Sequence, residues 1–226
     1  MMDQRDSEMG VESQIPDALE KEMMHLLMRF ARLCSLLFRQ TYYPLVAVFV
    51  LLNFTFLHNL SRELRMLVLL MVALYTLVLP HLICKAIDVA VTGTVMDRYP
   101  RVLRQVHYLI TLLGFVLCIF MLNRLRMPFF LVAYLQVAVV YQTICLMIGL
   151  FWNISTQSAA AASVAGCLLS YSLLMDYDAT AWVCGAIVMN GLVSSSRVLM
   201  RRHTVVQTTA GTLVGLASAV LVMFIF

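Results

Sequence analysis

Long apolar segments separated by short polar ones run along most of this chain, and they predict a bundle of membrane-spanning helices. A helix needs about 20 apolar residues to cross ~30 Å of hydrocarbon. Seven segments come near that length, the third being the shortest: 41–60, 64–87, 107–123, 127–151, 158–175, 179–199 and 203–226. The sequence therefore predicts an all-α, polytopic transmembrane bundle of six or seven spans.

The part of the chain before the first apolar segment has a different pattern. Residues 1–24 are polar and mildly acidic and lack the features of a cleaved signal peptide, so the first span is expected in the mature protein. Residues 18–38 place apolar side chains at helical spacing against basic ones. This pattern fits a helix on an anionic membrane surface or a plain juxtamembrane linker. The predicted domains are an N-terminal region, 1–40, and a transmembrane domain, 41–226.

Composition agrees with a membrane protein, because 62% of the residues are hydrophobic and only 12% are charged. These values exclude an ordinary soluble globule. The six cysteines lie singly in apolar segments, and the five histidines form no cluster with carboxylates. We therefore expect no metal site, no cofactor and no nucleic-acid partner.

The placement of lysine and arginine predicts an orientation, because cytoplasmic loops are enriched in these residues. With seven spans, the N-terminal tail and segments 88–106, 152–157 and 200–202 share one face, which holds twelve of the sixteen basic residues. We expect this face to be the cytoplasmic face of a bacterial inner membrane. Seven of the twelve lie at or beside the candidate site, where they can bind an anion instead of setting topology.

The segment between the last two apolar stretches carries the candidate chemistry. Arg197 and His203 are separated by about 240° on a continuous helix, so they converge only if the chain turns near Arg201 and Arg202. The four-residue spacing from His203 to Gln207 places the Gln207 carbonyl where it can accept a hydrogen bond from the imidazole. The helix N-terminus and the arginines favour a neutral, nucleophilic imidazole. The alternative is that the arginines only mark topology and the histidine is structural.

Two segments resemble signatures of the type 2 phosphatidic acid phosphatase and vanadium haloperoxidase superfamily. The third signature of that family is Ser-Arg, five residues, His, three residues, Asp, and this chain has Ser196-Arg197, His203 and Gln207 at that spacing, then Ala210-Gly211 and Gly215. The run from Trp152 to Ser158, followed by four alanines, resembles the region of its second signature. The match is good over about the last 75 residues and loose over 88–226. The chain also resembles a Bacteroidetes-type branch of the family in which Gln replaces Asp.

The resemblance implies a role for each matching residue. His203 would attack phosphorus to form a phosphohistidine, and Gln207 would orient it. Gln157 or Ser158 falls where the family has its proton-donating histidine, and neither is an acid at neutral pH. Phosphate would be bound by Arg197, Ser196, Thr156 and Ser158, and by Arg98, Arg101 and Arg104, although these last three do not follow the family's first signature and otherwise form a solvated basic loop.

These features predict a lipid phosphatase that acts without a metal on a phosphatidate or a polyprenyl (pyro)phosphate. The alternative is a catalytically inactive relative that binds phospholipid headgroups or acts as a membrane scaffold. A transporter is disfavoured, because ionisable residues at mid-membrane depth are almost absent. Small residues after Ser158, with Gly211 and Gly215 on the last span, allow close helix packing that would bring the candidate loops together.

Overall fold

Helices form almost all of the structure, a computed structural model that describes residues 22, 23, 25–32, 42–54, 60–91, 100–175 and 178–225. These residues contain no strand, so the predicted all-α class is confirmed. In chain order the helices are α1 (Tyr43–Phe54), α2 (Arg62–Ala73), which continues through a π-helical turn (Leu74–Val78) into α3 (Leu79–Val91), α4 (Pro100–Arg124), α5 (Phe129–Gly149), α6 (Thr156–Met175), α7 (Thr180–Leu199) and α8 (Val205–Ile225).

Within the described residues, six helical segments are long and apolar enough to cross a membrane, and the chain is a polytopic integral membrane protein. They are Arg62–Ala90, Gln105–Arg124, Phe129–Gly149, Thr156–Met175, Thr180–Leu199 and Val205–Ile225. The first predicted span, 41–60, corresponds to α1, whose 12 residues rise only about 18 Å. The third predicted span, the shortest in the sequence, belongs to the 25-residue helix α4.

The predicted loop 88–106 is shorter in the structure. Helix α3 continues to Val91, and α4 begins at Pro100, a residue that is favoured in the first helical turn. Arg101 and Arg104 therefore belong to α4 and not to a loop, while their side chains lie outside the described part of the chain. Arg98 lies outside the described residues entirely.

The N-terminal region is described only over residues 22, 23 and 25–32, which are helical. Its large apolar side chains are exposed, including Met23 (58%), Leu26 (65%) and Phe30 (57%). An exposed apolar surface next to Arg29 and Arg32 suits the predicted position on an anionic membrane surface. The other residues of the N-terminal domain, 1–40, lie outside the described part.

Helices α6 and α8 form the most extensive helix pair of the bundle. Four consecutive alanines from Ala159 to Ala162 are almost fully buried on α6. On α8, a Cβ atom at Gly211 would overlap the Ser155 carbonyl oxygen, and one at Gly215 would overlap the Ala159 carbonyl oxygen. The predicted close packing is therefore present, and it brings the start of α8 against the start of α6.

Candidate functional site

A tight turn joins α7 to α8 and brings two predicted site residues together. Arg201 has a left-handed backbone (φ 52°), which is uncommon for a residue other than glycine. Its N–H donates to the Val198 carbonyl (2.9 Å), and the Arg202 N–H donates to the Arg197 carbonyl (3.2 Å). These are the two hydrogen bonds of a Schellman motif. The turn that the sequence required near Arg201 is present.

The first turn of α8 is closed by a capping box between Thr204 and Gln207. The Thr204 N–H donates to Gln207 Oε1 (3.1 Å), and the Gln207 N–H donates to Thr204 Oγ1 (3.3 Å). This reciprocal pair satisfies two N–H groups at the helix start. It also fixes the orientation of the Gln207 side chain, because only the oxygen of an amide accepts a hydrogen bond.

His203 is oriented by two oxygen atoms and faces a guanidinium. Its Nδ1 lies 3.2 Å from the Asn153 carbonyl oxygen and 3.3 Å from Gln207 Oε1. Both atoms are acceptors, so the proton of the neutral ring belongs on Nδ1. Nε2 then holds the lone pair, and it lies 3.4 Å from Arg197 Nη2. The predicted contact between Gln207 and His203 is present, and it turns Nε2 toward Arg197.

The electrostatic surroundings of His203 favour an anion. Arg197 comes from the last turn of α7, and Arg202 lies close enough to interact with it electrostatically. The Ser155 N–H donates to the Gln207 carbonyl (3.3 Å), so the N-termini of α6 and α8 lie side by side here. Helix N-termini carry partial positive charge and bind phosphate groups. The site thus combines two helix N-termini with a guanidinium.

The start of α6 supplies hydroxyl groups, only some of which reach this site. Thr156 Oγ1 lies 3.3 Å from the hydroxyl of Tyr108 on α4, and Tyr108 interacts electrostatically with Arg197. Ser158 is fully buried and bonds the hydroxyls of Ser155 (2.9 Å) and Ser194 (3.2 Å). Ser158 therefore belongs to a buried contact between α6 and α7.

Two other predicted residues differ in their placement. The Ser196 hydroxyl is buried and donates to the Val193 carbonyl one turn back (2.7 Å), so it serves its own helix. Gln157 is half-buried at the second position of α6, and its Oε1 is shielded from solvent. Direct hydrogen bonds thus join Arg197, His203 and Gln207, while the hydroxyls of Ser158 and Ser196 bond elsewhere.

Four residues at or beside the site were missed by sequence reasoning. Thr204 had a visible signal, because Thr-x-x-Gln before an apolar run is the spacing of a capping box. Gln142, whose Nε2 donates to the Tyr108 carbonyl (2.9 Å), had a weaker signal, as an amide inside an apolar span. Asn153 acts through its backbone carbonyl and Tyr108 comes from a distant helix, so neither had a local signal.

Comparisons with known proteins add nothing to this geometry. No family model, curated protein or solved structure matches the chain. The superfamily resemblance therefore remains a prediction.

Proposed function

We propose that this protein is a metal-independent membrane lipid phosphatase that uses His203 as its nucleophile. The observation that carries the proposal is the orientation of the imidazole, with Nδ1 bonded to two oxygen atoms and Nε2 facing Arg197. A nucleophile oriented by a hydrogen-bonded partner is the usual arrangement for covalent catalysis. A guanidinium beside it supplies forked hydrogen bonds for phosphate oxygens.

In the proposed reaction, Nε2 attacks phosphorus as the bond to the lipid oxygen breaks. Water then hydrolyses the phosphohistidine and releases phosphate. The Asn153 carbonyl and Gln207 Oε1 hold the Nδ1 proton through both steps, and Arg197 binds the phosphoryl oxygens. Gln207 is neutral, so it orients the ring without stabilising an imidazolium by charge.

A cavity of about 310 Å³ supports a lipid as the substrate. Helices α1, α6 and α7 form most of its apolar wall, which includes Tyr171 and Trp182. Among the α6 residues that line the cavity, Ala161 is nearest to the site, about 7.5 Å along the helix from Thr156. Volumes of roughly 300–1,000 Å³ with apolar and aromatic walls are typical of ligand sites. We expect a lipid whose phosphate is bound at Arg197 to extend its hydrocarbon chain along α6 into this cavity.

Filling the cavity is expected to discriminate against long substrates. Gly185 lines the cavity, and a Cβ atom there would meet no atom within 4 Å. Gly185→Trp is expected to lower turnover of a long-chain phosphatidate about tenfold, equivalent to ~1.4 kcal/mol in the barrier, and to spare a short-chain phosphatidate. Gly191→Trp is the matched control, because Gly191 is equally open but does not line the cavity. Equal losses on both chain lengths would contradict a role in chain binding.

A second candidate function, binding of phospholipid headgroups without turnover, is favoured by the capping box. Gln207 is already explained as a helix cap, and none of Thr156, Gln157 and Ser158 is an acid at neutral pH. In this case Arg197 and the helix N-termini would bind the phosphate, and His203 would only contact it.

One assay separates the two candidates. Purified protein is mixed with phosphatidate, phosphatidylglycerol phosphate or undecaprenyl pyrophosphate in the presence of a chelator, and released phosphate is measured. Turnover of any of these lipids supports the phosphatase. Vesicle binding that requires Arg197, without phosphate release, supports the headgroup binder. If the protein shows neither phosphate release nor Arg197-dependent vesicle binding, both candidate functions are overturned.

We place the site on the cytoplasmic face of a bacterial inner membrane. Most basic residues lie on the same face as the site only if the segment around α1 crosses the membrane, because this crossing brings the N-terminal region to that face. The 12 described residues of α1 are too few to cross alone. The orientation is therefore best tested directly. A reporter fused after Ile225, where α8 ends on the face opposite the site, should report an extracytoplasmic location. A cytoplasmic signal would reverse the orientation.

A further inference from the structure

Tyr108 places a phenol at the site from a third helix, α4. Its hydroxyl lies 3.3 Å from Thr156 Oγ1, next to Ser155, whose N–H donates to the Gln207 carbonyl, and Tyr108 also interacts electrostatically with Arg197. A phenol is protonated at neutral pH and can donate its proton. Tyr108 therefore brings a proton donor to the guanidinium that contacts His203.

A buried polar network fixes the position of Tyr108 along α4. Gln142 Nε2 donates to the Tyr108 carbonyl (2.9 Å) and to Thr111 Oγ1 (2.7 Å). The single hydroxyl proton of Thr111 is shared between the carbonyls of His107 (2.8 Å) and Tyr108 (3.0 Å). The side chain of Gln142 is only 3% exposed, and a buried amide is costly unless its hydrogen bonds are satisfied. The network thus ties α5 to the turn of α4 that carries the phenol.

We infer that Tyr108 is the catalytic acid that protonates the leaving oxygen, an inference that rests on the proposed function. As Nε2 of His203 bonds to phosphorus, the P–O bond to the lipid breaks and its electron pair stays on the oxygen. The Tyr108 proton passes to that oxygen, which leaves as an alcohol. The products of this step are the alcohol, a phosphohistidine and a phenolate, and the guanidinium of Arg197 stabilises the phenolate by charge.

The second step restores both residues. Water attacks phosphorus, and the phenolate takes a proton from that water as the P–N bond breaks. The electron pair of the P–N bond returns to Nε2, and phosphate leaves with the water oxygen. Tyr108 is then a neutral phenol again, and His203 is a neutral imidazole with its proton on Nδ1.

The test compares two substrates whose leaving groups differ. Tyr108→Phe is expected to lower phosphate release from phosphatidate by about 10²–10⁴-fold, the usual contribution of a general acid. The first-turnover burst of p-nitrophenolate from p-nitrophenyl phosphate, which reports the first step alone, should change by less than about threefold, because this leaving phenolate is stable without a proton. Tyr75→Phe, at a partly buried tyrosine on the π-helical turn, should leave both rates unchanged. Tyr108→His, which restores a proton donor, should recover part of the phosphatidate rate.

The outcomes distinguish this inference from the function on which it rests. If the wild type is active and Tyr108→Phe lowers both rates equally, or lowers neither, Tyr108 is not the acid. The proposed phosphatase function then still stands. Wild-type protein that hydrolyses neither substrate would overturn both. If Tyr108→Phe lowers the unfolding temperature, the Tyr108→His variant decides. A phosphatidate rate of Tyr108→His no higher than that of Tyr108→Phe also counts against the inference.

Discussion

Replacing His203 with alanine is expected to lower phosphate release from phosphatidate by roughly 10⁶, a loss comparable to removal of the nucleophile from a serine protease. The reason is that Nε2 forms the bond to phosphorus, and the methyl group of alanine has no lone pair with which to do so. The measurement is kcat with purified protein in the presence of a chelator, for wild type and variant at equal concentration.

The matched control for this prediction is His81→Ala. His81 is an exposed histidine on α3, and its replacement should leave kcat unchanged. The His203 variant should also keep Arg197-dependent binding to phosphatidate vesicles, because the guanidinium still binds phosphate. Retained turnover in His203→Ala would eliminate the histidine mechanism. Loss of binding together with turnover, in a folded variant, would make His203 a binding residue instead.

The helical class was predictable because the length of an apolar segment is set by the thickness of the bilayer. Hydropathy marks the part of a helix that lies in hydrocarbon, and it does not mark where the helix begins or ends. This explains α4, which begins at Pro100, well before the apolar stretch starts at residue 107.

Within the site, local geometry was predictable and long-range geometry was not. The four-residue spacing of His203 and Gln207 predicted their contact, but the expected reason, a shared helix face, was wrong, because His203 lies in the turn before α8, which begins at Val205. The separation of Arg197 and His203 required a turn, and the Schellman motif at Arg201 supplies it. The contact of His203 with Asn153 depends instead on how α6 packs against α8, which no local period in the sequence encodes.

Gln207 shows how the helix cap and the site are connected. A single oxygen, Oε1, accepts the Thr204 N–H and lies within hydrogen-bond distance of His203 Nδ1. A carbonyl oxygen has two lone pairs, so it can accept both donors. The backbone of the first turn therefore fixes the atom that orients the imidazole. In the proposed phosphatase, a helix cap provides the orientation that a carboxylate would provide through charge.

The same dependence on helix packing predicts that Gly215→Val destabilises the bundle and damages the site. A Cβ atom at Gly215 would overlap the Ala159 carbonyl oxygen, so α6 and α8 must separate. Overpacking of this kind costs about 1–3 kcal/mol, or a fall of roughly 2–12 °C in the unfolding temperature for a chain of this size. The measurement is thermal unfolding of the purified protein in detergent.

Gly191→Val separates this packing effect from the general cost of valine in a helix. Gly191 lies on α7, and a Cβ atom there meets no atom within 4 Å, so its variant should unfold near the wild-type temperature. Separation of α6 from α8 would also break the bond from Ser155 to Gln207 and move Asn153 away from His203. Gly215→Val should therefore lose turnover at temperatures where it is still folded. Full activity with a lowered unfolding temperature would show that the orientation of His203 does not depend on this helix contact.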